Sequence, residues 1–177
     1  MPILRQIAQL GQPVLRGVAE KIADPEAPAV QTLIDDMLVT MADADGVGIA
    51  APQVFEPLSL FIVASRPNQR YPGAPEMVPT AMINPEILWA SDEKEPGWEG
   101  CLSIPGLRGL VLRSRKIGVR YQTRTGAARE VEYADFLARV FQHEFDHVQG
   151  VVFIDRVEST RELMTEKEYI RSLQSHA

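Results

Sequence analysis

The chain has few of the residues that build metal and redox sites, because its 177 residues include one cysteine and three histidines. The single cysteine, Cys101, excludes an intrachain disulfide and is consistent with a reducing compartment. No apolar run is long enough for a membrane-spanning helix, since the longest cover only residues 60–64 and 151–154. An excess of positive charge is also missing. With 18 Lys and Arg residues against 24 Asp and Glu residues, the net charge of −6 argues against general nucleic-acid binding.

The remaining composition, 45% hydrophobic and 24% charged, is that of an ordinary globular protein. The length predicts one domain over residues 1–177, and we set residues 158–177 apart as a C-terminal extension. Residues 1–11 lack the apolar core of a secretory signal, which predicts a cytoplasmic location. One local basic patch is compatible with the sequence, formed by Arg108, Arg113, Arg115, Lys116 and Arg120.

Two segments have the hydrophobic period of an α-helix. Residues 28–44 carry apolar side chains at three- and four-residue steps and end at Asp45-Gly46. Residues 135–149 form the second, with Asp135 as predicted N-cap and Gly150 as C-terminal stop. A last helix is predicted to follow Thr165, because Glu168 completes a capping-box pattern with it.

Short β-strands account for most of the rest. We predict strands at residues 58–64, 81–88, 107–113, 116–122, 129–133 and 151–157. Asn84-Pro85 should place the second strand at a sheet edge or bend it, and residues 91–97 should form a polar loop. The fold class is therefore α+β, with short, mainly antiparallel strands around a central helix.

The central helix carries the most informative motif, QHEFDHVQG at residues 142–150. Four-residue spacing puts His143 and His147 one turn apart on the same face, where two imidazoles can bind one metal ion. A helical wheel places both histidines and Glu144 in the buried sector, with Arg139, Gln142 and Asp146 opposite. Burying a carboxylate without a partner costs free energy. A metal ion with a bound water would give both histidines and Glu144 a partner. Satisfied core histidines are the simpler alternative. His176, near the C-terminus, is expected to be solvated.

Two histidines leave the metal short of ligands. Downstream, the candidates for a third ligand are Glu158, Glu162, Glu166 and Glu168, and none of them lies in a motif typical of metal ligands. Upstream, Cys101 lies in EGCLS at residues 99–103. An isolated cysteine is commonly a small buried residue, but the unfilled metal position favours ligation by its thiolate.

A third motif, GVGIAAPQ at residues 46–53, lies upstream of both. Small residues and two glycines allow the backbone to lie close to a ligand, although a tight turn into the next strand would have the same composition. These three motifs, in this order, resemble those of the bacterial peptide deformylases. The similarity extends from GQPVLR near the N-terminus to FIDR at residues 153–156.

The resemblance implies a deformylase fold and a metal-dependent hydrolase that removes the formyl group from N-formylmethionyl nascent polypeptides. Cys101, His143 and His147 match the family's metal ligands, and Glu144 its general base. Gln53 matches the side-chain amide that stabilises the oxyanion, together with the backbone N–H of Leu102.

The same resemblance implies the substrate contacts. Gly46, Val47 and Gly48 should lie along an extended peptide that pairs as an added strand. Val47, Arg139, Val140 and His143 are positioned for the methionine pocket, with the stem of Arg139 at the rim. Gly100 and Leu102 should form a tight wall around the formyl group, and Arg108 should orient the substrate.

Coordination rules alone favour zinc for a Cys/His/His site, whereas the resemblance favours Fe(II), with Zn, Ni or Co as substitutes. We expect Fe(II), one ion per chain. Formylated nascent peptides are the expected partners, with a ribosome contact, no nucleic-acid specificity and no membrane. Two rival functions are a zinc endopeptidase, which needs a downstream third ligand, and an inactive peptide-binding relative.

Overall fold

The chain folds around three helices and eight strands in a computed structural model that describes residues 1–69 and 71–175. The helices are α1 (Pro28–Asp43), α2 (Asp135–Val148) and α3 (Glu166–Ser175). The strands are β1 (Gly48–Ala50), β2 (Leu60–Ser65), β3 (Met77–Ala90), β4 (Lys94–Cys101), β5 (Ile104–Ser114), β6 (Lys116–Gln122), β7 (Ala128–Ala134) and β8 (Leu163–Thr165). None of the described helices is long and apolar enough to cross a membrane.

The strands form two antiparallel sheets. The larger sheet has the order β1-β2-β3-β6-β7, and the smaller has the order β4-β5-β8. In the β6–β7 hairpin, Lys116 to Gln122 pair without interruption with Ala134 to Ala128. The predicted α+β class with mainly antiparallel strands is thus confirmed.

The central helix α2 contacts both sheets. Phe141 packs edge-on against Phe61 of β2, with ring centroids 5.0 Å apart. The other side of α2 meets the smaller sheet, where the Gln142 side chain bonds both the N–H and the C=O of Ser114. Helix α1 covers the opposite face of the larger sheet through Leu33, Ile34 and Met37. The metal motif is therefore held between two sheets.

Asn84 bends β3 as the sequence predicts, but β3 is an interior strand. Its neighbours are β2 and β6, and the register shifts between Ile83 and Glu86. Asn84 has a positive φ of 49° and its side chain bonds the N–H and C=O of Ile22. Because the Asn84 side chain replaces backbone hydrogen bonds that are lost at the register shift, Pro85 can lie within the sheet.

Three local predictions are wrong. Asp135 is the first residue of α2 rather than its N-cap, and its carboxylate is held instead by Arg115 Nε at 2.8 Å. Residues 151–157 contain a 3-10 turn, Phe153–Arg156, because the Asp155 carboxylate accepts the Val152 N–H at 2.9 Å. The predicted loop at residues 91–97 joins β4 from Lys94 onward, where pairing with β5 outweighs its polar composition.

The predicted basic patch does not form. Arg108 and Arg113 are buried and bound to carboxylates, while Arg115 and Arg120 each lie within 3.0 Å of an acidic side chain. Each of these guanidinium groups is neutralised by its own acidic partner, so the four arginines do not form a positively charged surface. The α2 face expected to lie opposite the buried sector is also covered, since Asp146 is only 4% exposed.

Candidate metal centre

Three ligand atoms from two elements converge beneath the larger sheet. Cys101 ends β4, and His143 and His147 lie one turn apart on α2, as four-residue helical spacing requires. The three side chains offer ligand atoms that all lie within 4.8 Å of one another. Cys101 Sγ is 3.2 Å from Nε2 of His147, which is fully buried. Within the described residues this is the one such cluster, and the four downstream glutamates do not contribute to it.

Glu99 fixes the ring of His143. Its Oε2 lies 2.9 Å from His143 Nδ1, which leaves Nε2 of that imidazole as the nitrogen available to a metal. Arg113 donates to both Glu99 oxygens at 2.9 and 3.0 Å, and Arg139 adds a third bond at 3.0 Å. The hydrogen bonds from His143 and Arg113 hold the Glu99 carboxylate ionised against the effect of burial, and its pKa lies well below the usual range.

Glu99 was not among the site residues predicted from the sequence. It lies two residues before Cys101 on β4, but no strand was predicted there and the register shifts between the two residues, so strand alternation gave no signal for it.

An ionic chain extends from Glu99 to the surface. Arg113 Nη1 bonds Asp146 at 2.6 Å, and the half-exposed Arg156 bonds the same carboxylate at 2.7 Å. Asp146 therefore links α2 to β5 and to the turn after α2. This chain explains why one polar face of α2 is buried without leaving an uncompensated charge.

Glu144 has the environment of a general base. Its side chain is buried, and its Oε2 has no hydrogen-bond partner among the described residues. Burial raises the pKa of Glu144 to about 7, a value at which a carboxyl group can both accept and return a proton near neutrality. Gly48 lies directly against it, because a Cβ at that position would overlap with Glu144 Oε1.

Gln53 presents its amide N–H to the same centre. Its Oε1 accepts the Ala50 N–H at 2.8 Å, which orients the group. Nε2 then lies 3.1 Å from Ser103 Oγ and 3.5 Å from Cys101 Sγ. Ser103 is a second orienting residue that the sequence analysis did not single out.

A cavity of about 170 Å³ opens beside these groups. It is lined by every residue predicted for the catalytic, metal and substrate roles except His147, which lies buried behind the others. The lining residues that were not predicted are Tyr71, Glu99, Ile104, Pro105, Leu107, Phe136 and Glu166. Three of them belong to β5 and the others to a loop, β4, α2 and α3, and only Glu99 lies in one of the three motifs, EGCLS.

The two arginines of the cavity have different roles. The Arg139 guanidinium turns away toward β4 and β5, where it bonds the carbonyls of Glu95 and Val111. Its stem is therefore the part that lines the cavity. The Arg108 guanidinium is buried against Gly100, where it bonds Tyr71 Oη at 2.6 Å and Glu166 at 2.9 Å.

The donor set fits a divalent transition metal. One thiolate and two imidazoles form a three-ligand set with room for an open position, as catalytic metal sites have. Burial lowers the pKa of His147 and keeps its ring neutral, the form that binds a metal. The Glu144 oxygen without a partner faces the same space. His176 lies outside the described residues.

Comparison with known proteins agrees with this geometry. A family model described as Polypeptide deformylase matches residues 4–162. The chain is 56% identical to "Peptide deformylase 2" of Nostoc sp. over 95% of this chain and 94% of that protein. It is 48% identical to "Peptide deformylase 2" of Shewanella oneidensis over 85% and 82% of the two chains.

Solved structures show the same fold. The Met-Ala-Ser-bound crystal structure of class I type b peptide deformylase from Acinetobacter baumannii superposes with a TM-score of 0.86 and 43% identity, covering 89% of this chain and all of that one. Peptide deformylase from Thermotoga maritima gives a TM-score of 0.80 and 39% identity, covering 89% and 99%. The chain belongs to the polypeptide deformylase family, metal-dependent hydrolases that remove the N-terminal formyl group from nascent polypeptides.

Proposed function

We propose that Cys101, His143 and His147 hold the catalytic metal and that Glu144 is the general base of deformylation. The observation that carries this proposal is the convergence of three ligand atoms within 4.8 Å, beside a buried carboxylate whose Oε2 has no partner among the described residues. When bound, the metal would act as a Lewis acid that activates water and polarises the formyl carbonyl.

Glu144 would move the proton of the reaction. It accepts a proton from the water that attacks the formyl carbon, and it returns this proton to the amine nitrogen as the C–N bond breaks. The products are formate and a free N-terminal methionine. A carboxyl group with a pKa of about 7 suits both transfers.

Gln53 and Leu102 would stabilise the negative charge that develops on the formyl oxygen. The Gln53 amide is held from behind by Ala50, so one of its N–H bonds can point into the cavity. The Leu102 backbone N–H supplies the second donor. Preorganised donors of this kind are worth roughly a hundredfold or more in rate.

The first residue of the substrate would occupy the apolar part of the cavity. Val47 and Val140 line it, with the stem of Arg139 at the rim. The neighbouring Acinetobacter structure contains Met-Ala-Ser, the peptide that deformylation of formyl-Met-Ala-Ser would release. Gly46 and Gly48 would pair with the peptide backbone, Gly100 would limit the formyl site, and Arg108 would orient the chain beyond it.

Replacement of the general base tests these roles. Glu144→Ala should bind metal as the parent protein does and lose formate release from formyl-Met-Ala-Ser by roughly 10²- to 10⁴-fold. The exposed Glu132→Gln serves as a control and should keep full activity. Hydrolysis at a near-parental rate in Glu144→Ala would assign the proton transfer to another group.

For the metal, we propose Fe(II), at one ion per chain. A single thiolate with two imidazoles accommodates iron, zinc, nickel or cobalt, so the ligand set alone does not choose among them. Family resemblance supports iron, and a thiolate-bound ferrous ion should be lost or oxidised in air. Protein prepared without oxygen should show activity in proportion to its iron content, while activity that follows zinc would contradict the assignment.

The cellular setting follows from the substrate. Formylated nascent peptides emerge in the cytoplasm, where we propose that the enzyme acts. We further propose that residues 1–177 work as one unit, since β8 pairs with β5 and Glu166 lines the cavity. A contact with the ribosome through residues 158–177 stays a prediction, which co-sedimentation with ribosomes can test.

A further inference from the structure

A second groove borders the peptide cavity across the backbone of Gly46 and Val47. Both residues line both spaces. The groove has a volume of about 510 Å³, and its other walls are mainly apolar. Met41, Ala42, Met77 and Val78 form most of this surface.

Ser65 is a polar exception in this groove. It ends β2, is only 3% exposed, and its hydroxyl has no hydrogen-bond partner among the described residues. Because buried hydroxyl groups are almost always paired, this unsatisfied group points to a ligand that supplies the partner. The charged side chains at the groove leave one carboxylate in excess, since Arg66 bonds Asp45 at 2.9 Å and Glu76 adds a second acidic group.

The edge of β1 leads toward this groove. The formyl end of the substrate is fixed beside Glu144, and Glu144 lies against Gly48. The Val47 carbonyl accepts the Ala64 N–H at 2.8 Å and the Met41 carbonyl accepts the Gly46 N–H at 2.9 Å, so the backbone groups of Gly48 and the carbonyl of Gly46 are the ones left for a peptide at this edge. An extended peptide advances about 3.3 Å per residue. Its first three residues therefore run from Gly48 to Gly46, and the next ones reach the groove.

We propose that this groove is a subsite for an apolar side chain at the fourth or fifth residue of the formylated nascent chain. The Ser65 hydroxyl would bond the peptide backbone there, while Met41, Met77 and Val78 surround the side chain. The inference rests on the proposed function, since it uses the direction in which the substrate lies. Its occupant is the substrate itself because Gly46 and Val47, which line the peptide cavity, also form one wall of the groove.

The test compares kcat/KM for three peptides: formyl-Met-Ala-Ser, the same peptide extended by two leucines, and the same peptide extended by two glycines. We expect about a tenfold advantage of the leucine extension over the glycine extension, from partial burial of one leucine side chain. Val78→Asp and Ala42→Trp should both abolish this advantage, the first by charge and the second by filling the groove. Both positions are exposed, so folding should tolerate the changes.

Two further variants complete the design. Ser65→Ala should reduce kcat/KM for the leucine-extended peptide a few-fold by removing the hydroxyl. Leu88→Asp, at an exposed position toward the other end of β3, should leave the advantage intact.

Equal kcat/KM for the two extensions, or a leucine advantage that survives in both groove variants, would overturn the subsite. Absence of formate release from every peptide would contradict the proposed catalytic roles and the subsite with them. Release from the tripeptide without a leucine advantage would contradict the subsite alone.

Discussion

Outside the proposed ligand set, Glu99 is the residue on which the candidate metal centre most depends. Its carboxylate bonds His143 on one side and the guanidinium groups of Arg113 and Arg139 on the other. Partners of this kind fix the orientation of a ligating imidazole and raise its basicity. The proposed metal site is thus anchored by two arginines that are not part of its ligand set.

Glu99→Gln should weaken metal affinity by roughly 10- to 100-fold, because the neutral amide is a poorer acceptor and leaves Arg113 undercompensated. Competition with a chelator measures the affinity, and circular dichroism checks that the variant folds. Glu93→Gln is the matched control, since Glu93 is exposed and pairs only at the surface with Arg115. An affinity equal to that of the parent protein would show that His143 is oriented by packing alone.

Helix α2 is the element that joins metal binding to folding. Its apolar side chains pack against the larger sheet, and its histidines contact Glu99 and Cys101 on β4 of the smaller sheet. Its polar stripe is closed by the Asp146–Arg113 pair, in which each side chain is 6% exposed. Removing one partner of a buried ion pair leaves an uncompensated charge.

Asp146→Ala should therefore lower the free energy of unfolding by about 3–5 kcal/mol. For a chain of this length, that loss corresponds to a decrease in Tm of roughly 10 °C in a thermal scan. Arg156→Ala provides the control, because Arg156 is half-exposed and Asp146 keeps its bond to Arg113. Its effect should stay within about 1 kcal/mol. A similar decrease in the free energy of unfolding in both variants would show that the stabilisation comes from the surface pair of Asp146 with Arg156.

How far the sequence predicts these elements depends on the range of the interactions involved. The bounds of α1, α2 and the β6–β7 hairpin follow from periodicity and turn residues, so they are predicted to within a residue or two. Strand β4 is different. Its polar residues Lys94 to Gly97 pair with β5, a contact between strands that local composition does not encode.

The same distinction holds within the site. The ligands and Glu144 lie in compact motifs, whereas Tyr71, Phe136 and Glu166 reach the cavity from segments far apart in the chain. A single sequence does not indicate that residues from such distant segments will lie side by side. Asp135 shows a further limit, since it has the chemistry of an N-cap but its carboxylate binds Arg115 instead.

At the scale of the whole molecule, the N-terminal segment at residues 3–10 ties separate parts together. Ala8 N–H bonds the carbonyl of Gln53, and Leu10 N–H bonds that of Ser103, both at 2.8 Å. Toward α1, the Asp36 carboxylate accepts the Ile3 N–H at 2.8 Å and Arg5 Nε at 3.0 Å. The segment thereby connects α1 to Gln53 itself and to Ser103, which orients the Gln53 amide.

The protonation of Asp36 should couple this connection to pH. The Ile3 backbone N–H, and then the Arg5 guanidinium, hold the pKa of Asp36 below its usual range against the opposing effect of burial. A carboxyl group whose pKa is lower in the folded state stabilises the fold above its unfolded pKa of about 4. This stabilisation is lost as the pH falls through the lower, folded value.

Asp36→Asn should therefore reduce the free energy of unfolding by about 1–3 kcal/mol near pH 7, because a charged hydrogen-bond acceptor is lost. The difference from the parent protein should shrink steadily as the pH falls below about 4, where the parent carboxylate becomes protonated. Urea unfolding at several pH values measures this convergence. Asp35→Asn, at an exposed carboxylate bound to Arg124, should show little difference at any pH. A difference between Asp36→Asn and the parent that stays constant with pH would mean that shape rather than charge at Asp36 holds the N-terminal segment in place.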